Sequence, residues 1–149
     1  GQPGYAVTRW LVPPTLAGGL LERMRARIAD LRLGPMTTDR GLARHHMLLA
    51  DARERGARVE GGEEIAPGQL APALVTDAGP GVRLVDEEPF TPIVAVLEVP
   101  DTASAIAEAN RPDHGLVSHP CWPLSPADAA HQPNCVVPRS PARRSILDT

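Results

Sequence analysis

The spacing of apolar residues in the first quarter of the chain predicts a strand followed by a helix. Residues 5–12 (YAVTRWLV) are aromatic and β-branched and stop at Pro13-Pro14, which predicts a strand with a sharp end. Thr15 is predicted to cap a helix over residues 15–33, which Gly34-Pro35 ends. Its predicted buried face, spaced by three or four residues, consists of Leu16, Leu20, Met24, Ile28 and Leu31.

A second helix is predicted over residues 38–55. Gly56 is predicted to close it as a C-cap glycine. The apolar stripe of this helix is predicted to be formed by Leu42, His46, Leu49 and Ala52. We interpret the neighbouring His45-His46 as a surface and half-buried pair and not as a site.

The next part of the chain predicts three strands, a helix and a further strand. Residues 57–64 (ARVEGGEE) predict a short strand that ends in a Gly-Gly turn, and residues 69–78 predict a broken strand. Residues 92–99 (PIVAVLEV) are almost continuously apolar, which is typical of a strand buried on both faces. Asp101-Thr102 caps a third predicted helix, and residues 115–118 predict one more strand. This order predicts an α/β fold with an open twisted sheet and flanking helices.

Length and composition limit the class of protein. A chain of 149 residues with a net charge of −3 suits one domain. All fifteen basic residues are arginine, which excludes a P-loop or Schiff-base lysine within the chain. The arginines alternate with acidic residues, so we predict no nucleic-acid partner. No apolar run reaches the roughly 20 residues that span a bilayer, and we predict a soluble cytoplasmic protein with two reduced cysteines.

Three motifs, in this order, resemble the catalytic domain of the NAD(P)-dependent aldehyde dehydrogenase superfamily. They are residues 56–62 (GARVEGG), residues 88–92 (EPFTP) before a strand, and residues 105–110 (AIAEAN) followed by Gly115-Leu116. The resemblance covers residues 1–118 and implies part of that domain. Residues 119–149 form a Pro-rich tail that we predict to be irregular.

The resemblance implies a nucleotide-binding site and a nucleophile position. Glu88 matches the family glutamate that accepts hydrogen bonds from the nicotinamide-side ribose of NAD or NADP, and Phe90 matches the aromatic residue beside the nicotinamide. Thr91 replaces the glycine of the motif, and a β-branched residue resists the positive φ that glycine tolerates. Gly4 stands where the family has its nucleophilic cysteine, which forms a thioester during aldehyde oxidation.

The chain therefore departs from the family in its chemistry. A glycine cannot attack an aldehyde. The sequence also contains neither a G-x-G-x-x-G fingerprint nor the upstream segment in which the family has its general-base glutamate. We expect a truncated or degenerate catalytic-domain fragment that is inactive alone. Natural decay, an engineered substitution and a split gene all remain consistent with Gly4.

Two alternatives to an enzyme fragment follow from other features. An incomplete sheet leaves an edge strand that invites pairing, which predicts an assembly module, either a homo-oligomer or a complex with a complementing dinucleotide-binding chain. The second alternative is a zinc-binding module based on the tail, although its candidate ligands have no standard spacing and we assign no metal site: His114, His119, Cys121, His131 and Cys135.

Overall fold

The computed structural model describes residues 6–113 of the chain. The strands are β1 (Arg9–Val12), β2 (Arg58–Gly61), β3 (Glu64–Ala66), β4 (Gln69–Leu70), β5 (Ala73–Thr76) and β6 (Ile93–Glu98). The helices are α1 (Pro14–Asp30), α2 (Asp39–Glu54), α3 (Arg83–Asp86) and α4 (Thr102–Asn110). The predicted strand at residues 115–118 and the tail lie outside the described residues. None of the helices within residues 6–113 is both long and apolar enough to cross a membrane.

Four strands form one open sheet in the order β1-β6-β5-β2. β1 and β5 both pair with β6 in parallel, while β2 pairs with β5 in antiparallel fashion. β6 is therefore a central strand, and its residues Ile93, Ala95, Val96 and Leu97 are buried. This confirms the predicted open α/β fold and the burial of the continuous apolar run.

Alternate residues of β5 and β6 point to two separate hydrophobic cores. Ala73, Val75 and Ala95 belong to the core that α2 and α3 cover. Leu74 and Val96 belong to the core that α1 covers. Helices thus flank both faces of the sheet, as the period of two along a strand requires.

The first helix differs from its prediction at both ends. Pro13 is the N-cap, and Pro14 takes the first helical position, where a missing N–H is harmless. Thr15 therefore lies in the first turn and is not the cap. The helix ends at Asp30, with Leu31 extended, and not at Gly34-Pro35.

The predicted apolar face of α1 is only partly correct. Leu16 is 61% exposed, because the helix turns it away from the sheet, and Leu31, which lies beyond the end of the helix, is 47% exposed. The face that packs on the sheet contains Ala17, Leu20, Leu21, Met24 and Ile28, which also follow the helical period.

The second helix agrees with its prediction in extent and differs in one position of its stripe. The Oγ1 atom of Thr38 accepts a hydrogen bond from the N–H of Gly41, so Thr38 is the N-cap. Gly56 has a φ of 86°, as expected of a C-cap glycine. The predicted stripe is wrong at His46, which is exposed, while His45 is fully buried.

His45 is buried against the turn between β2 and β3. Its Nε2 atom lies 2.8 Å from the carbonyl oxygen of Gly62, so we assign the ring proton to Nε2. Gly62 has a φ of 86°, and a Cβ atom there would collide with Leu49 and Ala73. The glycine is required both for the turn and for the close approach of α2.

The sequence analysis did not predict β3, its hairpin with β4 or the short helix α3, whereas β4 and β5 lie within the predicted broken strand over residues 69–78. β3 and β4 form a hairpin with Gly68 at a φ of 71°. The hairpin contacts the segment after α1 through the N–H of Met36, which donates to the carbonyl oxygen of Gly68 at 2.7 Å. The short helix α3 precedes residues 86–90, which we call the acidic segment.

Candidate active site

The acidic segment connects α3 to β6 and lies at the amino ends of the parallel strands. β6 begins at Ile93, after Thr91 and Pro92. The start of β1 lies at the same edge, because the N–H of Ala95 donates to the carbonyl oxygen of Thr8. The start of β1 and the residues before β6 therefore lie at the same edge of the sheet.

Two of the three carboxylates in the acidic segment are held by arginines from separate elements. Asp86 pairs with Arg111, which follows α4. Glu87 accepts hydrogen bonds from Arg83 at 2.7 Å and from Arg44 of α2 at 3.1 Å. The bonds from Arg83, and then from Arg44, hold the pKa of Glu87 below its ordinary value.

The third carboxylate, that of Glu88, has no hydrogen bond or ion pair to any residue within 6–113. The carbonyl oxygen of the same residue accepts a hydrogen bond from the Nη2 atom of Arg44 at 2.9 Å. The backbone of Glu88 is thus held, while its carboxylate is left available within the described part of the chain. This distinguishes Glu88 from an ordinary member of an acidic turn.

Phe90 is presented by the same segment. Its side chain is 46% exposed, and its φ is 52°. Pro89 and Thr91, on either side of it, are buried, so the segment alternates between anchored and presented residues. A left-handed conformation is strained for a bulky residue other than glycine, and such strain is found at functional sites.

The structure resolves the question raised by Thr91. The positive φ of this turn belongs to Phe90 and not to Thr91. Thr91 is fully buried, and its Oγ1 atom has no hydrogen-bond partner among the described residues. The expected conflict between a β-branched residue and a positive φ is therefore wrong at this position.

Arg9 of β1 joins the strand to the end of α4. Its guanidinium donates to the carbonyl oxygens of Glu108 and Ala109, at 3.2 and 3.4 Å. Burial lowers the pKa of Arg9, while the nearby carboxylate of Glu108 opposes this change. Glu108 also pairs with Arg111, so a chain of charges connects β1, α4 and the acidic segment.

Arg44 is a residue of this site that the sequence analysis did not identify. It lies on α2, more than forty positions before the acidic segment. Its only sequence signal is an arginine beside a histidine that turns out to be buried. That signal is weak, since α2 carries several arginines.

Two predicted features cannot be placed on this site. Gly4, at the position of the family nucleophile, and the histidines and cysteines of the tail lie outside the described residues. Within residues 6–113, no group of three or more His, Cys, Asp or Glu side chains is arranged to hold a metal ion.

A cleft of about 410 Å³ lies at the opposite edge, beyond the carboxyl ends of β5 and β6. Its charged residues include Arg25, Arg58, Asp77 and Glu98. Arg25 is already engaged in a two-pronged pair with Glu60, at 2.8 and 2.6 Å. Neither Glu88 nor Phe90 lines this cleft, so we assign the candidate site to the amino edge.

The fold and the site describe an α/β domain in which the acidic segment, just before a central parallel strand, carries the unpaired carboxylate of Glu88 and the exposed ring of Phe90. The model of the aldehyde dehydrogenase family matches residues 1–119. The chain therefore belongs to the aldehyde dehydrogenase family.

Individual relatives agree with this assignment. An aldehyde dehydrogenase of Paenarthrobacter nicotinovorans is 41% identical over 88 residues, which is 57% of this chain and 19% of the relative. The crystal structure of NADP-dependent glyceraldehyde-3-phosphate dehydrogenase from Bacillus halodurans, complexed with NADP, superimposes with a TM-score of 0.73 at 30% identity. That match covers 78% of this chain and 26% of the solved one.

A further solved structure is that of a salicylaldehyde dehydrogenase from Pseudomonas putida G7, complexed with salicylaldehyde. It is 26% identical, with a TM-score of 0.74, and the match covers 80% of this chain and 27% of the solved one. This chain therefore spans about a fifth to just over a quarter of the relatives named here.

Proposed function

We propose that this chain supplies the nicotinamide-side wall of an aldehyde dehydrogenase active site and does not itself carry out the covalent step. The observation that carries the proposal is the state of the acidic segment. Two of its carboxylates are paired with arginines from other elements, and that of Glu88 is left available near the exposed Phe90. The family to which the chain belongs uses a glutamate and an aromatic residue at these positions to hold NAD or NADP.

The residues present fit one end of such a nucleotide. An ionised carboxylate accepts hydrogen bonds only, which suits the two hydroxyl groups of a ribose. An exposed aromatic ring provides an apolar surface for a planar nicotinamide. When bound, the nicotinamide nucleotide accepts the hydride that leaves an aldehyde during its oxidation.

Gly4 supports the second half of the proposal. Covalent aldehyde oxidation begins with attack by a thiolate, and a glycine has no side chain to attack with. The N–H of a glycine remains a hydrogen-bond donor for an oxyanion, but stabilising charge without a nucleophile does not start the reaction. We therefore propose that this chain, taken alone, is catalytically silent.

Titration of the full chain with NAD and with NADP tests nucleotide binding. We expect weak binding that is lost in Glu88→Gln, which keeps the size of the side chain and removes its charge. Glu98→Gln is the matched control, because Glu98 is exposed at the far end of β6. Equal binding by the wild-type and Glu88→Gln chains would contradict the assigned role of Glu88.

An aldehyde oxidation assay tests catalytic silence. We expect no reduced nucleotide to form when the chain is incubated with NAD or NADP and a panel of aldehydes. Formation of reduced nucleotide at a rate that Glu88→Gln abolishes would overturn the proposal. The relatives are named for different aldehydes, so we propose a reaction class and no particular substrate.

A second proposal concerns assembly. In the described part of the chain β1 pairs only with β6, so the backbone groups of Arg9 and Leu11 that point away from β6 lack a strand partner. We propose that this edge pairs with a second copy or with a complementing dinucleotide-binding chain. A monomeric mass in light scattering, with slow amide exchange at Arg9 and Leu11, would contradict pairing between copies.

A further inference from the structure

Arg44 links helix α2 to the acidic segment through two different kinds of acceptor. Its Nη2 atom lies 2.9 Å from the carbonyl oxygen of Glu88 and 3.1 Å from the Oε2 atom of Glu87. The side chain of Arg44 is 32% exposed, so solvent screens these contacts only in part. The backbone of the segment and one of its carboxylates are thus fixed by a single guanidinium.

The bond to the backbone matters more than the bond to the carboxylate. Glu87 keeps a second partner, since Arg83 donates to both of its carboxylate oxygens, at 2.7 and 3.3 Å. Glu88 has no other hydrogen bond to the residues within 6–113 than the one from Arg44. Removal of Arg44 therefore leaves Glu87 held, while Glu88 loses the hydrogen bond that it receives from the described residues.

Helix α2 is a rigid support for this contact. Thr38 caps the helix, and Leu48 and Leu49 are almost fully buried under the sheet. His45, next to Arg44, is fixed against the carbonyl oxygen of Gly62. A side chain that extends from such a support can set the position of a loop.

We infer that Arg44 is a positioning residue that orients Glu88 and Phe90 by holding the carbonyl group of Glu88. Arg44 acts through the main chain of Glu88, so the inference concerns alignment of the ligand-facing side chains. The expected effect on nucleotide binding rests on the proposed function, whereas the expected effect on backbone order rests on the geometry alone.

The test compares three variants of the full chain. Arg44→Gln removes the charge and shortens the reach, and Arg44→Lys keeps one cationic donor. Arg40→Gln is the matched control, because Arg40 is exposed on the same helix. Backbone order is measured by ¹⁵N relaxation at the amides of Glu88 and Phe90, and affinity is measured by titration with nicotinamide mononucleotide.

We expect the order parameters at Glu88 and Phe90 to fall in Arg44→Gln from about 0.85 to below about 0.6. We expect Arg44→Lys to restore most of this order and Arg40→Gln to leave it unchanged. Because a small misalignment lowers binding strongly, the dissociation constant for the mononucleotide should rise about tenfold in Arg44→Gln. The melting temperature should stay close to that of Arg40→Gln.

Three outcomes separate the inference from the proposed function. Unchanged order and unchanged affinity in Arg44→Gln would overturn the inference. Weaker mononucleotide binding in Glu88→Gln but not in Arg44→Gln would also overturn it, while supporting the proposed function. Reduced order in Arg44→Gln, with equal mononucleotide binding by wild type and Glu88→Gln, would support the positioning role and contradict the proposed function.

If Arg44→Gln unfolds the chain, Glu87→Gln provides the second test. It removes the charge of one partner of Arg44, and with it the ion pair, and leaves the bond to the carbonyl group of Glu88. The inference expects order at Glu88 to be retained in this variant. Loss of order there would show that the ion pair, and not the backbone contact, holds the segment, and would overturn the inference.

Discussion

The helices on the two faces of the sheet are built differently. α2 is capped by the side chain of Thr38 and places Leu48, Leu49 and Ala52 in the larger core. α1 has Pro13 at its N-cap without a side-chain hydrogen bond, and Ala17 is its only fully buried residue. The helix that supports the acidic segment is thus the better anchored of the two.

The difference shows how this fold supports its site. Besides its core contacts, α2 is tied to α3 by Asp51, which accepts hydrogen bonds from the N–H of Arg83 and from the side chain of Arg55. Burial opposes ionisation of Asp51, but these bonds outweigh it, so its pKa lies below the ordinary value. α2 therefore contacts α3 through Asp51 and the acidic segment through Arg44, whereas α1 covers the opposite face of the sheet.

The largest expected effect comes from emptying the core on the α2 side. Leu48 is fully buried, so Leu48→Ala should lower the free energy of unfolding by about 3 kcal/mol through lost transfer energy and a cavity. Leu21→Ala on the partly buried face of α1 should cost about 1 kcal/mol. Urea denaturation of both variants measures the difference. Equal losses would show that the two faces are equally well packed.

Substitution of glycine by alanine should change stability in opposite directions at Gly61 of β2 and at Gly18 of α1. Gly61 has a φ of 74°, and a Cβ atom there would collide with the carbonyl oxygen of Pro72. Gly61→Ala should therefore destabilise the protein by about 2 kcal/mol. Gly18 lies in α1 with no atom within 4 Å of an added Cβ, so Gly18→Ala should stabilise by about 0.5 to 1 kcal/mol. Destabilisation by Gly18→Ala would show that α1 is closely packed there.

Removal of a helix cap should have a smaller effect on the free energy of unfolding, and it should again differ between α2 and α1. Thr38→Ala removes the oxygen that accepts from the N–H of Gly41, and it should cost about 1 kcal/mol. Thr15→Ala is the matched control, since Thr15 lies within α1 and caps nothing. It should change stability by less than about 0.5 kcal/mol. Thermal unfolding of the two variants measures this, and a larger loss in Thr15→Ala would restore Thr15 as the cap.

The ionisation of His45 should have the smallest effect on the free energy of unfolding at neutral pH, and this effect should grow only at acidic pH. Burial lowers the pKa of His45, although its bond to Gly62 opposes this change. The unfolded chain therefore binds a proton below about pH 6.5 while the native chain does not, and the free energy of unfolding should fall as the pH drops below 6.5. The fall should stop once the pH is below the native pKa.

Urea denaturation between pH 7 and pH 5 measures this slope. His45→Gln should flatten it, while the control His46→Gln removes only the lesser repulsion from the neighbouring ring and should keep most of it. Glu60 and Glu87 have lowered pKa values, through hydrogen bonds from Arg25 and Arg83 respectively, so their contribution is lost only as the pH falls below about 4.5. An unchanged slope in His45→Gln would remove His45 as its source.

Much of the fold was predictable because it depends on local patterns. The extent of α2 follows from Thr38 and Gly56, and the burial of β6 follows from its continuous apolar run. The predicted face of α1 was wrong at Leu16, since a helix with leucines and alanines on several sides buries whichever stripe the sheet covers. The β3–β4 hairpin was missed because its first strand is short and entirely exposed.

The candidate site was likewise predictable only in part from the sequence. Glu88 and Phe90 were identified from a motif, and the structure presents both at the amino edge of the sheet; their roles in binding remain predictions. The sequence by itself determined the order of the four strands of the main sheet and of α1, α2 and α4, and the acidic character of residues 86–88. Only the tertiary structure decided which carboxylate stays available, because Arg44 and Arg111 reach the segment from α2 and from the end of α4, whereas the pair of Arg83 with Glu87 is local. Charge pairing over such distances depends on how the helices pack, and no local pattern records it.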